Sequence, residues 1–327
     1  MKLPQTLKSG PCTWVKDSVF SLEVAEQMNI SVVIPCYNAA PFIGDCLKSV
    51  AEQTKQPHEI IVIDDGSTDA SCQIINQAPI QVRLLHTERR GGAGARNAGI
   101  KVATGDWIAF LDADDLWFPD HLERASRVIR RTGAVAYINH YNHIKAGDIH
   151  IRNGKMESEV TGTGIDDYIA LFRRYGHFVG MSACSVQTRH AREVGGLLEN
   201  QLRRHDIEFW LRIIHNRPWV FDPVATSAYR KHSQGNLSSD RANAAIYGFT
   251  AFLRHRAKAQ DMVSYDTVLK ERARSAITRS FEAKDQVALR QSYSMAFDYL
   301  GPMHKILFQI LHQAPCLFPV VRLLRLV

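Results

Sequence analysis

Four apolar runs alternate with segments of helical periodicity between residues 30 and 115, and this alternation constrains the fold more than any other feature of the chain. The runs are ISVVIPC, EIIVID, VRLLH and WIAFL, and the segments between them are FIGDCLKSVAEQT, ASCQIINQA and a glycine-rich loop that enters a helix, GGAGARNAGIKVA. Strands that alternate with helices in this way are typical of a parallel sheet covered on both faces. The sequence therefore predicts an α/β fold.

Polar residues follow three of these predicted strands. The strands end in Pro35-Cys36-Tyr37-Asn38, in Asp64-Asp65-Gly66-Ser67 and in Asp112-Ala113-Asp114-Asp115. In open α/β sheets, ligands bind beyond the carboxyl ends of the strands. We therefore expect these three segments to converge on one edge of the sheet and to form a ligand site there.

The fourth strand ends in three acids, Asp112, Asp114 and Asp115. Carboxylates that would otherwise repel one another suit a hard divalent cation bound through oxygen, such as Mg²⁺ or Mn²⁺. An acid at this place can instead cap a helix, and Asp115 is the candidate cap for a helix beginning near Trp117. The motif alone leaves both interpretations open.

The second strand ends in the acid pair Asp64 and Asp65. A carboxylate at such an edge can accept hydrogen bonds from a nucleoside base or a ribose hydroxyl. An Asx-turn is the alternative, and each acid could take one of the two roles. The later loop GGAGARNAG resembles a dinucleotide-binding fingerprint, but Asn97 occupies its third glycine position and it follows the third strand. We disfavour that interpretation and expect Arg96 to face phosphate.

The remaining sequence is less regular. The segments HLERASRVIRRTG and HDIEFWLRIIHN predict helices, and AVAYINHYNHI predicts a strand whose histidines are more typical of an exposed face than of a metal site. The polar stretch from Lys145 to Gly164 predicts a loop or a boundary. From about Ala242 the pattern is helical.

The C-terminal region carries the charge. It has 13 Lys and Arg against 6 Asp and Glu from Arg241 onward, which accounts for the whole formal charge of +7. This asymmetry favours contact with an anionic surface over a nucleic-acid-binding function of the whole protein. The terminal stretch HKILFQILHQAPCLFPVVRLLRLV is apolar but interrupted. It can lie in a membrane interface or pack on the core, and both interpretations stay open.

Several classes of protein are disfavoured by composition. The six cysteines are scattered without a CxxC pair, which favours a reduced, cytoplasmic setting. We find no signal peptide and no apolar stretch long enough to span a membrane.

Four linked motifs carry a resemblance to a known family. The segments VVIPCYN, VIDDGSTD, GGAGARNAGI and FLDADD resemble, in order and spacing, the nucleotide-sugar-binding half of family 2 glycosyltransferases with the GT-A fold. The similarity continues more loosely through RHDIEFWLRI and YRKHSQGNLS. The resemblance implies an α/β GT-A fold, a Rossmann-like mixed sheet flanked by helices, with a C-terminal helical region. It divides the chain into an extension (1–29), a donor half (30–120), an acceptor half (121–240) and a basic helical region (241–327).

The resemblance also implies roles for individual residues. The nucleotide-sugar would be bound by Pro35, Tyr37, Asp65, Arg96, Asn97 and Asp112. Asp114 would bind the metal, Mn²⁺ or Mg²⁺, and His232 would be a further ligand. Asp206 would be the catalytic base. The family pattern has Glu-Asp at this point, whereas the chain has His205-Asp206, which puts the contacts of the first position in doubt.

The function implied is inverting, metal-dependent transfer of one sugar from a nucleoside-diphosphate sugar, a UDP-sugar foremost. The acceptor would be a glycan or lipid-linked hydroxyl in bacterial surface polysaccharide or lipopolysaccharide synthesis. The protein would be cytoplasmic and peripheral on the inner face of the membrane. The alternative is a catalytically inactive nucleotide-binding scaffold with a GT-A-like fold. A nucleotidylyltransferase is disfavoured because no early glycine-lysine phosphate signature is present.

Overall fold

The computed structural model describes residues 28–145, 148–150, 158–176, 178–231, 240–283, 285–302, 305, 306 and 309. Within them the strands are β1 Ile30–Cys36, β2 Glu59–Asp64, β3 Arg83–His86, β4 Trp107–Phe110, β5 Leu116–Trp117, β6 Ala136–Lys145, β7 Asp148–His150, β8 Val160–Thr163, β9 Cys184–Gln187 and β10 Pro218–Arg230. The helices are α1 Ile43–Ala51, α2 Ser71–Asn76, α3 Gly91–Val102, α4 His121–Thr132, α5 Ile165–Tyr175, α6 Thr188–Glu193, α7 His205–Ile214, α8 Arg241–His255, α9 Met262–Glu282 and α10 Gln286–Ala296.

The strands form one mixed sheet in the order β3-β2-β1-β4-β9-β6-β10-β5, with β7 paired to β6 and β8 to β10. The first four strands are parallel, as predicted. Strand β9 is antiparallel to both β4 and β6, and it joins the two halves of the sheet. Because β2 and β4 flank β1, the polar ends of these three strands lie side by side.

Both faces of the sheet are covered, because alternate residues of each strand point to opposite sides. On β1, Val33 packs into one apolar core while Val32 and Ile34 pack into the other. On β4, Phe110 and Ala109 divide in the same way. The predicted α/β architecture is confirmed.

Three local predictions were wrong. Helix α4 begins at His121, and Trp117 lies in β5, so Asp115 caps no helix there. The stretch predicted as a loop from Lys145 contains β7 and β8, which pair with β6 and β10 through backbone hydrogen bonds. The glycine-rich loop is already helical, since α3 begins at Gly91.

The C-terminal region is helical, as expected. The Phe252 ring of α8 lies 4.9 Å from the Phe172 ring of α5, and the Tyr265 hydroxyl of α9 donates to the Phe252 carbonyl at 2.7 Å. Helices α8 and α9 therefore pack on the sheet domain and extend its core. No helix among the described residues has the length and apolar composition needed to cross a membrane. The terminal stretch from residue 310 lies outside the described residues.

Candidate active site

A cavity of about 1020 Å³ opens at the carboxyl edge of the sheet. The sequence-predicted residues that line it are Pro35, Tyr37, Asp65, Arg96, Asp112, Asp114 and Asp206. The fold thus brings together residues that lie up to 171 positions apart in the chain. Asn97 is not among the lining residues, and His232 lies outside the described residues.

One wall of the cavity follows β1. The Tyr37 ring is 42% exposed, and the guanidinium carbon of Arg89 lies 4.6 Å from its centroid. Behind it, the backbone N–H of Asp65 donates to the Cys36 carbonyl at 2.8 Å, which holds the ends of β1 and β2 together. An exposed aromatic face beside a cation can stack against a planar ring.

The two acids at the end of β2 have different partners. Asp64 accepts the Ser67 N–H at 3.3 Å, which closes the tight turn. Asp65 reaches the start of α3, where its two oxygens accept the N–H groups of Arg90 and Gly91 at 2.8 and 2.7 Å. A carboxylate at a helix N-terminus satisfies unpaired donors and favours the helix dipole. Asp65 therefore explains why α3 begins within the glycine-rich segment.

Arg96 is buried beneath the cavity and connects its two sides. One terminal nitrogen donates to an Asp112 carboxylate oxygen, and the other lies 3.0 Å from the Gly92 carbonyl and 3.2 Å from Nε2 of His205. The Nε of Arg96 is buried and has no hydrogen-bond partner among the described residues. The cation expected to face phosphate is thus paired with Asp112, one of the acids expected to bind the nucleotide-sugar.

Asn97 has a structural position. Its carboxamide oxygen accepts the Leu197 N–H at 2.7 Å, and its amide nitrogen donates to the Leu197 carbonyl at 2.9 Å. These two hydrogen bonds tie α3 to the loop before α7. The structure therefore does not bring Asn97 into the cavity, contrary to what the resemblance implied.

The ligand oxygens of Asp112, Asp114 and Asp115 lie within 4.8 Å of one another. Asp115 is buried, and burial together with the charges of Asp114 and Asp112 raises the pKa of its carboxyl well above the usual range. The Ser182 hydroxyl donates to Asp115 at 2.5 Å and accepts the Asp112 N–H at 3.0 Å. The backbone N–H of Arg230 donates to the other Asp115 oxygen at 2.9 Å.

Asp206 lies in the first turn of α7, opposite the acidic cluster. Arg204, two residues earlier, has a left-handed backbone with φ of 55° and occupies the N-cap position of this helix. The half-buried His205 precedes Asp206. Burial and the nearby Arg96 cation lower the pKa of His205 to about 4, so its imidazole is neutral at pH 7 and can accept from Arg96.

Gln201 positions the loop that leads into α7. Its amide nitrogen donates to the Arg204 carbonyl at 3.0 Å, and its oxygen accepts from Arg254 of α8. The sequence gives no sign of the contact between Gln201 and α8.

Sequence reasoning missed other residues of the cavity. Ser182 lies in a short 3-10 helix without a motif, and it was not singled out. His143, interpreted as an exposed strand histidine, lines the cavity with Tyr141 and Tyr229. The three rings lie 5.6 to 6.3 Å apart and form an aromatic wall of the cavity. Two-residue spacing along β6 could have indicated that Tyr141 and His143 share a face.

Comparison with known proteins identifies the family. Residues 31–193, about half of the chain, match the model described as "Glycosyl transferase family 2". The chain belongs to this family. The glycosyltransferase match covers β1 to α6, so it includes the acidic cluster but not α7.

Relatives and solved structures agree with this assignment. The glycosyltransferase GlyG of Streptococcus pneumoniae is 40% identical over 35% of this chain and 40% of its own length. The amylovoran biosynthesis glycosyltransferase AmsB of Erwinia amylovora is 38% identical over 32% of this chain and 37% of its own. The match thus spans about two fifths of these relatives.

Two solved structures share the fold. S. aureus TarS 1-349 in complex with UDP-GlcNAc is 18% identical, covers 85% of this chain and 83% of its own, and has a TM-score of 0.65. The mannosyltransferase PcManGT from Pyrobaculum calidifontis in complex with GDP-Man and Mn²⁺ is 18% identical, covers 90% of this chain and 82% of its own, and has a TM-score of 0.54. The GT-A fold expected from the sequence is confirmed.

Proposed function

We propose that this family 2 glycosyltransferase moves one sugar from a nucleoside-diphosphate sugar to a hydroxyl of a glycan or lipid-linked acceptor, with inversion of the anomeric carbon. One observation carries the proposal: an acidic cluster, the buried cation of Arg96 and the carboxylate of Asp206 line a single cavity. The role of AmsB in amylovoran biosynthesis supports a place in bacterial surface polysaccharide or lipopolysaccharide synthesis.

The donor half would bind the nucleotide. A cavity of about 1020 Å³ has the size of a site for a ligand as large as a nucleotide-sugar. Tyr37 with Arg89 offers a stacking surface for the base, Pro35 lines the same wall, and Asp65 lies at its end. The complexes of TarS with UDP-GlcNAc and of PcManGT with GDP-Man support a nucleoside-diphosphate sugar, and we propose a UDP-sugar.

The acidic cluster fits a divalent cation. Its donors are all carboxylate oxygens, the ligand type that Mg²⁺ and Mn²⁺ prefer. The charges of Asp112 and Asp114 contribute to the raised pKa of Asp115, and a bound cation would relieve this repulsion. We assign Asp114 as the metal ligand in the cavity, with Asp112 beside it and His232 as a further ligand. Such an ion offsets the negative charge of a departing diphosphate.

Asp206 would accept the proton of the acceptor hydroxyl, and general-base assistance of this kind contributes about 10² to 10⁴ in rate. Arg96 would lie beside the diphosphate, where its positive charge would offset the negative charge that develops on the leaving group. Asp112 and His205 hold the guanidinium in place, so the cation is oriented before the donor arrives.

The acceptor half and the C-terminal region would set the target. Tyr141, His143 and Tyr229 offer aromatic faces against which a sugar ring can pack. We retain the division into 30–120 for the donor and 121–240 for the acceptor as a proposal. The basic region 241–327 would bring the enzyme to the inner face of the cytoplasmic membrane, and co-sedimentation with anionic but not neutral liposomes tests this.

The function is tested by thermal stabilisation and turnover measured side by side on wild type, Asp114→Asn and Asp206→Asn. Nucleotide bound at a hundredfold excess over its dissociation constant stabilises the native state by about 2.7 kcal/mol. We expect a Mn²⁺-dependent shift with a UDP-sugar in wild type, its loss in Asp114→Asn, and its retention in Asp206→Asn.

Measurements of turnover distinguish an active enzyme from a catalytically inactive scaffold. We expect Asp206→Asn to reduce transfer by about 10² to 10⁴ while donor binding persists. NMR of the product should show the anomeric configuration opposite to that of the donor. Nucleotide binding by wild type without transfer to any acceptor in a glycan and lipid-linked panel would favour the scaffold.

A further inference from the structure

A second cluster of metal-ligating side chains lies on the donor half, outside the cavity. Asp64 ends β2 and His86 ends β3, and the two residues are direct neighbours in the parallel register. Their side chains meet, with His86 Nδ1 3.2 Å from an Asp64 carboxylate oxygen. Cys72, in the first turn of α2, contributes its thiol, and the three ligand atoms all lie within 4.8 Å of one another.

We propose that Asp64, Cys72 and His86 form a Zn²⁺ site. It is distinct from the acidic cluster, because its donors are one oxygen, one nitrogen and one sulfur. Thiolate and imidazole ligands select Zn²⁺ over Mg²⁺ and Mn²⁺, which prefer oxygen alone. Three elements of the fold hold these donors, so the cluster does not depend on a single loop.

The spacing suits tetrahedral coordination. Bonds of about 2.0 to 2.3 Å place tetrahedral ligand atoms roughly 3.3 to 3.7 Å apart. The 3.2 Å between His86 Nδ1 and the Asp64 carboxylate oxygen is close to this value. The Cys72 sulfur lies within 4.8 Å of both atoms, so it needs only a small movement to reach the same spacing. The Asp64 side chain is 4% exposed and therefore rigid, whereas His86 at 64% can rotate. Three protein ligands leave a fourth position for water, reached from the His86 side.

The two ionisable ligands Asp64 and Cys72 start from different protonation states. Burial opposes ionisation of Asp64, but hydrogen bonds with Ser67, His86 and Cys72 lower the pKa of its carboxyl, so it is an anion at neutral pH. Burial and the Asp64 charge raise the pKa of the Cys72 thiol. The thiol proton would therefore leave to solvent as the metal–sulfur bond forms, as metal binding to cysteine requires.

The site would stabilise one edge of the cavity. Asp64 accepts the Ser67 N–H, and the Ser67 hydroxyl accepts the Asn38 N–H at 2.9 Å. Asn38 lines the cavity next to Tyr37. A cation that anchors Asp64 to β3 and α2 would hold this chain of contacts, so Zn²⁺ acts on the stability of the donor half and not on the transferred group.

Cobalt is the probe, because Co²⁺ replaces Zn²⁺ and reports thiolate coordination by a charge-transfer absorption. Co²⁺ is titrated into the full chain with Mg²⁺ present to occupy oxygen-only sites. We expect wild type to bind one Co²⁺ with a thiolate band that Zn²⁺ abolishes. Cys72→Ser should remove the band, and His86→Gln should weaken the affinity at least tenfold. Both substitutions lie at partly exposed positions, and far-UV circular dichroism verifies their folding.

Two controls separate this site from the proposed active site. Cys46 is a buried cysteine beside the acidic cluster, with its sulfur 3.6 Å from the Asp112 carbonyl. Cys46→Ser and Asp114→Asn should both retain the band. Absence of a thiolate band in wild type, or loss of it in Cys46→Ser but not in Cys72→Ser, would overturn the proposal. Neither result bears on donor binding, which is measured separately with nucleotide.

Discussion

Replacing Ser182 with alanine tests whether the acidic cluster is held in place by this one hydroxyl. Ser182 is buried, and its Oγ donates to Asp115 at 2.5 Å while accepting the Asp112 N–H at 3.0 Å. The hydroxyl thus connects two of the three acids, because it donates to the Asp115 side chain and accepts from the Asp112 backbone. Alanine removes both contacts without adding volume.

The loss of stability in Ser182→Ala depends on which groups lose a hydrogen-bond partner. A hydrogen bond to a charged group contributes about 1.5 to 3 kcal/mol, and a buried N–H left without a partner costs about 1 to 3 kcal/mol. Asp115 keeps the Arg230 N–H at 2.9 Å, and the Asp112 amide lies near the cavity where water can reach it, so the two effects do not add in full. We expect Ser182→Ala to lower the free energy of unfolding by about 2 to 4 kcal/mol.

A matched control lies three residues on. Ser185 is fully buried in β9, and its hydroxyl has no hydrogen-bond partner among the described residues. Because an unpartnered buried hydroxyl is itself unfavourable, Ser185→Ala should leave stability unchanged or raise it. Urea unfolding of both variants gives the comparison, and Mn²⁺-dependent stabilisation by nucleotide should fall in Ser182→Ala alone. Equal unfolding midpoints for the two variants would refute the assigned role of Ser182.

Three further predictions concern the same region and its support. The folded-state pKa of His205, about 4, lies below its ordinary value of 6.5, so the unfolded chain takes up the proton first and stability is lost as the pH falls from 6.5 to 4. Over this pH range the free energy of unfolding, measured with urea, should fall by about 2 to 3 kcal/mol less in His205→Gln than in wild type. An equal pH dependence of the two proteins would contradict this. Gln201→Met should lower kcat by about ten- to hundredfold with donor KM unchanged, because only the Asp206 loop shifts; a change confined to KM would contradict this. Arg124→Met should cost about 3 to 5 kcal/mol in urea unfolding, because Asp222 is fully buried and loses a bidentate partner at 2.6 and 2.9 Å; a loss below 1 kcal/mol would contradict this.

The elements encoded by local periodicity were predictable. Strand β1 and helix α1 appear where their apolar spacing placed them, and so do β2, α2 and β4. These patterns depend only on neighbouring residues, since a strand repeats every two residues and an amphipathic helix every 3.6. The convergence of the polar strand ends followed from the same pattern and a general property of parallel sheets.

The errors have a common cause, which is pairing between distant residues. Four glycines in ten residues predicted a loop, but Asp65, which follows β2, caps helix α3 and lets it begin at Gly91. Asn97 makes a contact of the same kind, because its carboxamide pairs with Leu197, a hundred residues away, and its assignment to the donor stays a prediction. No local signal in the sequence indicates either contact.

The position of Asp206 shows most clearly how contacts between distant residues determine the site, because two separate parts of the chain support helix α7. From the sheet, Phe110 precedes the acidic end of β4 and meets Phe209, one turn beyond Asp206, with ring centroids 6.1 Å apart. From the C-terminal region, Arg254 of α8 reaches Gln201 and through it the loop before α7. Since interiors are closely packed, a shift of either support moves α7 as a whole. The match to the family model ends at residue 193, before α7, whereas the placement of the proposed base depends on contacts with α8, which lies outside that match.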